Sequence, residues 1–351
     1  MSLRSKFLLS FFSCVALTCS VPGVSLAETV AGGSSEKLTI YTARNSDTDL
    51  AVFEEFAGKN GIKLEIVSGK AAELIDKLEQ EKSDPVADLF ITVDGGVLDT
   101  AKQKDLLQAA DAKEIWNNIP ASLRDEDRTW VGLSTRARVI VYSKDRVKPE
   151  QLSTYEDLAD PKWKGKIVMR PASALYDQSL LASLIAINGE AEAAEWVKGV
   201  VANFARAPKG NDRAQAKDIL AGTGDLTLMN TYYLGRMLNG KDEKELAAAN
   251  AVGVFFPNQE SSGTHINICG IGIVRGAPNP VLAEQLIVYL TSIPAQEQLV
   301  SGNYEFPANP QAKMPELLES WGQFKTQSID FAVLRENNGK AKELFEQGGW
   351  E

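Results

Sequence analysis

Apolar and polar positions along this chain change between a strand-like and a helix-like rhythm, and each change marks an element. Lys37-Leu38-Thr39-Ile40-Tyr41-Thr42 reads as a strand, ended by Ala43-Arg44-Asn45-Ser46. Asp47 or Thr48 then caps a helix whose apolar face is Leu50, Phe53 and Phe56. Residues 62–67 form a second strand, residues 71–82 a helix with Leu74 and Leu78 on one side, and residues 88–94 a third strand before Gly95-Gly96 and another helix. Strands alternating with helices of this length predict βαβ units and a parallel sheet.

Residues 130–142 interrupt the alternation with one long extended run in which Arg136 and Arg138 alternate with apolar neighbours. It reads as a strand passing from one lobe to the next. A second α/β run follows, with a strand at 166–170 and helices at 176–187, 191–202 and 212–221. Residues 264–274 are a second long extended run, the crossing back; 280–290 is helical, as are stretches within 314–348. Two crossings predict an α/β chain of two lobes, each discontinuous in sequence. The first holds residues 37–134 plus about 270–310, and the second 135–265 plus about 311–351. In open α/β sheets ligands lie at the carboxyl ends of the strands, so loops 43–48, 171–178 and 229–236 become candidates for the cleft between the lobes.

Composition narrows the setting. Arg4 and Lys6 precede an apolar run from Phe7 to Leu17, and Ser25-Leu26-Ala27 offers small residues for cleavage. Residues 1–27 are therefore expected to be an export signal cleaved after Ala27, in preference to lipoprotein processing at Cys19, and the mature protein to be periplasmic. That run is too short to span a membrane, and no later stretch is a candidate span. Losing Arg4 and Lys6 moves the net charge from −10 to −12. Such a surface argues against nucleic acid or anionic lipid as a partner and leaves a cationic ligand open. Cys14 and Cys19 leave with the signal, so Cys269 has no intrachain partner. The core then stands on packing alone, which roughly 320 residues allow.

The chemistry concentrates in residues 224–236. A short apolar strand leads to Asn230 or Thr231 as a helix N-cap, then to Tyr232 and Tyr233. In a strand these two would face opposite ways; in a first helical turn they stand about 100° apart and can converge. A helix N-terminus favours negative charge and hence a phenolate. Two converging phenol oxygens suit a hard cation, while two aromatics packed on a domain face would give the same pattern. Tyr176, between the 166–170 strand and the following helix, supplies a third phenol. Gly-x-Ser-x-Gly, Walker A and a dinucleotide fingerprint are missing. His265 has no histidine partner at metal spacing and reads as structural, and Cys269 reads as a small buried hydrophobe.

With these residues in view, the chain resembles the ferric-ion-binding periplasmic proteins of bacterial iron ABC transporters, most like their cyanobacterial Fut-type members. The resemblance runs over nearly the whole mature chain, through residues 40–44, Thr135-Arg136-Ala137-Arg138, residues 175–180, Gly210-Asn211-Asp212-Arg213 and residues 230–233. It implies a two-lobed periplasmic-binding-protein fold of type II, a monomeric carrier that is not an enzyme, and delivery to a permease in the inner membrane. It implies Tyr176, Tyr232 and Tyr233 as ligands of Fe(III). Fut-type members often carry His-Tyr after the opening arginine, and here Asn45-Ser46 stands there, so a fourth phenolate from the first lobe is absent. A synergistic anion such as carbonate or citrate is then expected to complete the coordination, held mainly by Arg44, with Arg136 and Arg236 as second choices. The competing expectation on the same scaffold is an organic or anionic solute such as a polyamine, thiamine or a phosphonate.

Overall fold

The computed structural model describes residues 36–44 and 46–351; the expected signal at 1–27 and Asn45 lie outside the described residues. β1 (Lys37–Thr42) pairs in parallel with β2 (Lys63–Ser68) and β3 (Leu89–Thr92). α1 (Asp47–Asn60) and α2 (Ala71–Gln80) make the two connections, and α3 (Gly95–Gln103) follows. Ser46, one residue earlier than expected, caps α1 by accepting from the Asp49 N–H at 3.3 Å. Leu50 is 40% exposed, and Val52 joins Phe53 and Phe56 in the core instead. Steps of three residues drift about 60° each, which carries Leu50 off the face that Phe56 buries.

After β4 (Leu107–Gln108) and α4 (Lys113–Asn118) comes β5 (Val131–Ser143), the longest strand. Its second half pairs antiparallel with β6 (Leu226–Asn230) and β7 (Val252–Phe255), and its first half with β8 (Ile266–Val274). α5 (Leu175–Asn188), α6 (Glu190–Ala202) and α7 (Asp212–Leu220) lie between β5 and β6. α8 (Thr231–Leu238) and α9 (Glu243–Ala251) lie between β6 and β7. β8 leads to α10 (Pro280–Thr291), α11 (Ile293–Asn303), β9 (Phe306–Pro307), α12 (Glu316–Ser320), α13 (Ala332–Glu336) and α14 (Asn338–Gly348). The sheet order is β2-β1-β3-β8-β5-β6, so β5 and β8 are the two strands through which its ends are joined. The expected strand at 166–170 is only a bridge, Ile167 meeting Phe204 and Leu226. Pro171, which has no N–H to donate, follows at once.

β5 has a bulge at Leu133, where Gly132 pairs with Gly270 and Ser134 already pairs with Cys269. Beyond it, Ala137, Val139 and Val141 pack with Met229, Leu234 and Met237. Ser134, Arg136 and Arg138 face the other way, and that face carries the site.

Candidate metal centre

β6 runs directly into α8, Asn230 closing the strand and Thr231 opening the helix. Tyr232 and Tyr233 therefore stand in a first turn at the carboxyl end of a strand, their ring centroids 4.2 Å apart. Tyr176 also occupies a first turn, that of α5, which begins one residue before the helix expected at 176–187. The segment before it is tied down by Ala172 N–H donating to the Glu351 carbonyl at 3.0 Å and by the Trp350 indole donating to the Arg170 carbonyl at 2.9 Å. The Tyr232 hydroxyl donates to the Tyr176 hydroxyl at 3.2 Å. Arg44, Arg136, Tyr176, Tyr232, Tyr233 and Arg236 all line one cavity of ≈ 190 Å³, and Glu305 joins them.

Every phenol ring there has a guanidinium near its face. Arg136 and Arg170 lie 5.8 and 5.5 Å from the Tyr176 centroid, Arg236 5.3 Å from Tyr232 and Arg213 6.0 Å from Tyr233. Burial, then the neighbouring Tyr176 and Tyr233, pushes the Tyr232 phenol well above its ordinary range. Burial, then Tyr176 and Asp212, pushes Tyr233 up as well. Without a cation these two phenols stay protonated at neutral pH; a trivalent ion among the oxygens reverses that by stabilising the anionic form. Among the described residues no group of three or more His, Cys, Asp or Glu is placed to hold a metal.

The three arginines are not equivalent. Arg44 is committed to carboxylates, with Nε and Nη2 on Asp49 and Nη1 on Glu305 at 2.8 Å. Arg236 Nη2 donates at 2.6 Å to Asn303 Oδ1, which also accepts from the Ser46 hydroxyl at 2.7 Å. Arg136 is 1% exposed, yet none of its three nitrogens meets an acceptor among the described residues. A buried charge without a partner is costly, and a bound anion would remove the cost. Burial alone would raise the Glu305 carboxyl, but Arg44 and Arg136 outweigh it and hold it below the usual range. Asp49 and Glu305 offset two of the three arginines, so one positive charge remains.

Sequence reasoning passed over Glu305, Arg170 and Arg213. Glu305 lies outside all three candidate loops, and Arg213 appeared only within a stretch of resemblance. His265 and Cys269 are 2% and 1% exposed and line no part of this cavity. His265 Nδ1 is 2.9 Å from Gln327 Oε1, and burial lowers its pKa to about 4, with Arg138 and Arg136 adding to the effect. Burial pushes the Cys269 thiol up to about 11. His265 is thus neutral when folded but takes a proton more readily when unfolded, so its contribution is present above 6.5 and lost as pH falls toward about 4. Thermal unfolding across that window is expected to show a shallower loss of stability for His265→Gln than for wild type; parallel curves would refute this.

A polar cavity lined from β5 and from the first turns of α5 and α8 is the arrangement of a solute-binding protein. The chain belongs to the bacterial extracellular solute-binding protein family, whose sequence profile matches residues 84–335. It is 41% identical to iron uptake protein A1 of Synechocystis, over 94% of this chain and 91% of that protein. It is 44% identical to a Trichodesmium protein solved in complex with iron and citrate ligands, with a TM-score of 0.86 over 90% of this chain and all of that one. A ferric binding protein from Campylobacter jejuni superposes with a TM-score of 0.85 at 39% identity, covering 90% of this chain and 100% of that one. The fold is that of these neighbours, the type II periplasmic binding proteins expected from the sequence.

Proposed function

We propose that this chain is the extracytoplasmic solute-binding protein of an iron ABC transporter, binding Fe(III) through the phenolates of Tyr176, Tyr232 and Tyr233. The observation that carries this reading is the meeting of three phenols, each with a guanidinium near its ring, in one cavity. Phenolate oxygen is hard and matches Fe(III) better than softer ions, and three phenolates cancel the +3 charge. The protein is a monomeric periplasmic carrier, not an enzyme, exported by the signal at 1–27, and it hands iron to a permease in the inner membrane. No helix among the described residues is long and apolar enough to cross a membrane. The lobes, 37–134 with about 270–310 and 135–265 with about 311–351, close over the ion.

Three phenolates leave about three positions of an octahedral oxygen shell. A bidentate carbonate or citrate carboxylate fills two of them and neutralises the excess positive charge. Arg136 takes the place first given to Arg44, because Asp49 and Glu305 already occupy the Arg44 fork. Titration with ferric nitrilotriacetate is expected to give an orange to red phenolate-to-iron band that saturates near one equivalent. A colourless protein that instead binds thiamine, a polyamine or a phosphonate overturns the proposal.

A further inference from the structure

Behind the tyrosines lies a group of charges that does not itself line the cavity, although its Arg170 faces the Tyr176 ring. Arg138, 1% exposed, donates from Nη2 to Asp177 Oδ1 at 2.5 Å and from Nη1 to Asp212 Oδ1 at 2.9 Å and Asn230 Oδ1 at 3.4 Å. Arg170 Nη1 closes the group on Asp212 Oδ2 at 3.1 Å. Asp177, Asp212 and Asn230 are each 3% exposed or less.

Two of the acceptors are chain neighbours of residues at the site, and the third stands two positions before Tyr232. Asp177 follows Tyr176 in the first turn of α5. Asp212 opens α7 and precedes Arg213, whose guanidinium faces the Tyr233 ring. Asn230 precedes α8 and its two tyrosines. A second observation concerns Asn230 itself. It sits at the N-cap of α8, where its side chain would ordinarily accept from the helix's own N–H groups. It makes no such cap bond and turns its oxygen to Arg138. The first-turn N–H groups beside Tyr232 and Tyr233 are thereby spared a competing acceptor.

We propose, building on the ferric reading above, that Arg138 is a positioning residue: one guanidinium fixes the separation of the two helix starts that carry the iron-binding phenols. A rigid planar fork, with Asp177 at the start of α5 on one nitrogen and Asn230 at the N-cap of α8 together with Asp212 on the other, suits this task, whereas a flexible ammonium would fix only one direction. Stability alone does not require buried charge here, since well-packed apolar side chains often serve as well. The arrangement buys geometry.

The test compares wild type with Asp177→Asn, Arg138→Lys and Arg138→Met, each loaded with ferric nitrilotriacetate. Asp177→Asn keeps the shape and loses the charge, so it carries the test even where Arg138→Met fails to fold. The expected result is ferric affinity lowered about 10–100-fold, the scale of losing an outer partner at a metal site. The maximum of the visible band shifts with it, and Arg138→Lys does not restore its position. A purely structural role would lower the melting temperature and leave the band maximum and affinity of folded, loaded protein at wild-type values. That outcome in Asp177→Asn and Arg138→Lys overturns the proposal. A wild-type protein with no band takes down the tyrosine reading and this inference together, so the two failures are told apart by the wild-type spectrum.

Discussion

Tyr232→Phe is expected to lower ferric affinity at least about 100-fold, because losing a mere outer partner at a metal site already costs 10–100-fold. Tyr232 is the most enclosed of the three phenols, 7% exposed, and its hydroxyl touches that of Tyr176. With Tyr232 as the ligand proposed above, its removal takes away an anionic donor and leaves two phenolates against three positive charges. Tyr233→Phe and Tyr176→Phe are expected to follow with losses of the same order, and the triple variant to show no visible band. Phenylalanine preserves the ring packing between positions 232 and 233, whose centroids lie 4.2 Å apart, so melting temperatures without iron should stay close to wild type. Competition titration against nitrilotriacetate, with the band recorded at each point, is the measurement. Three single variants that all bind like wild type place the metal elsewhere.

The second large effect is expected at Arg136. In carbonate-free buffer, adding bicarbonate or citrate should tighten ferric binding of wild type by roughly 10–100-fold. This is the worth of one hydrogen-bonded charge pair at about 1.5–3 kcal/mol. Arg136→Met should lose that increment, since Arg136 lines the cavity and all three of its nitrogens are buried donors with no described acceptor. Arg44→Met should keep the increment and lose stability, because Asp49 and Glu305 would stay buried without their cation. An anion response in Arg136→Met equal to that of wild type would rule out this assignment.

Much of the architecture is written locally. The first βαβ run was legible because apolar residues repeat at strand or helix period, and β5 and β8 stood out as extended runs too long for the alternation. The tyrosine pair was legible because its residues adjoin at a strand-to-helix junction. What escaped depends on distant partners. Asp49, five residues on, takes two nitrogens of Arg44, but the third goes to Glu305, more than 160 positions along the chain from Arg44 or Arg136, and no local pattern carries that. α9 escaped because Glu243–Ala251 is largely alanine and charge, with little apolar stripe. Leu50 misled because a three-residue spacing imitates a stripe for one turn and then rotates away from it.

The bulge at Leu133 gives the chain something like a reading frame. One extra residue there decides that Ser134, and with it Arg136 and Arg138, falls on the face of β5 that carries the cavity. With that residue missing, the same letters would stay in phase with only one half of the molecule. If the first half kept its pairing with β8, both arginines would point into the packing of Met229 and Leu234, and Thr135 and Ala137 would face the phenols. Substitution at Leu133 is therefore a question of packing, whereas a change in length there is a question of meaning. The residue that sets which charges stand beside the tyrosine cavity is a leucine that carries no charge and does not line it.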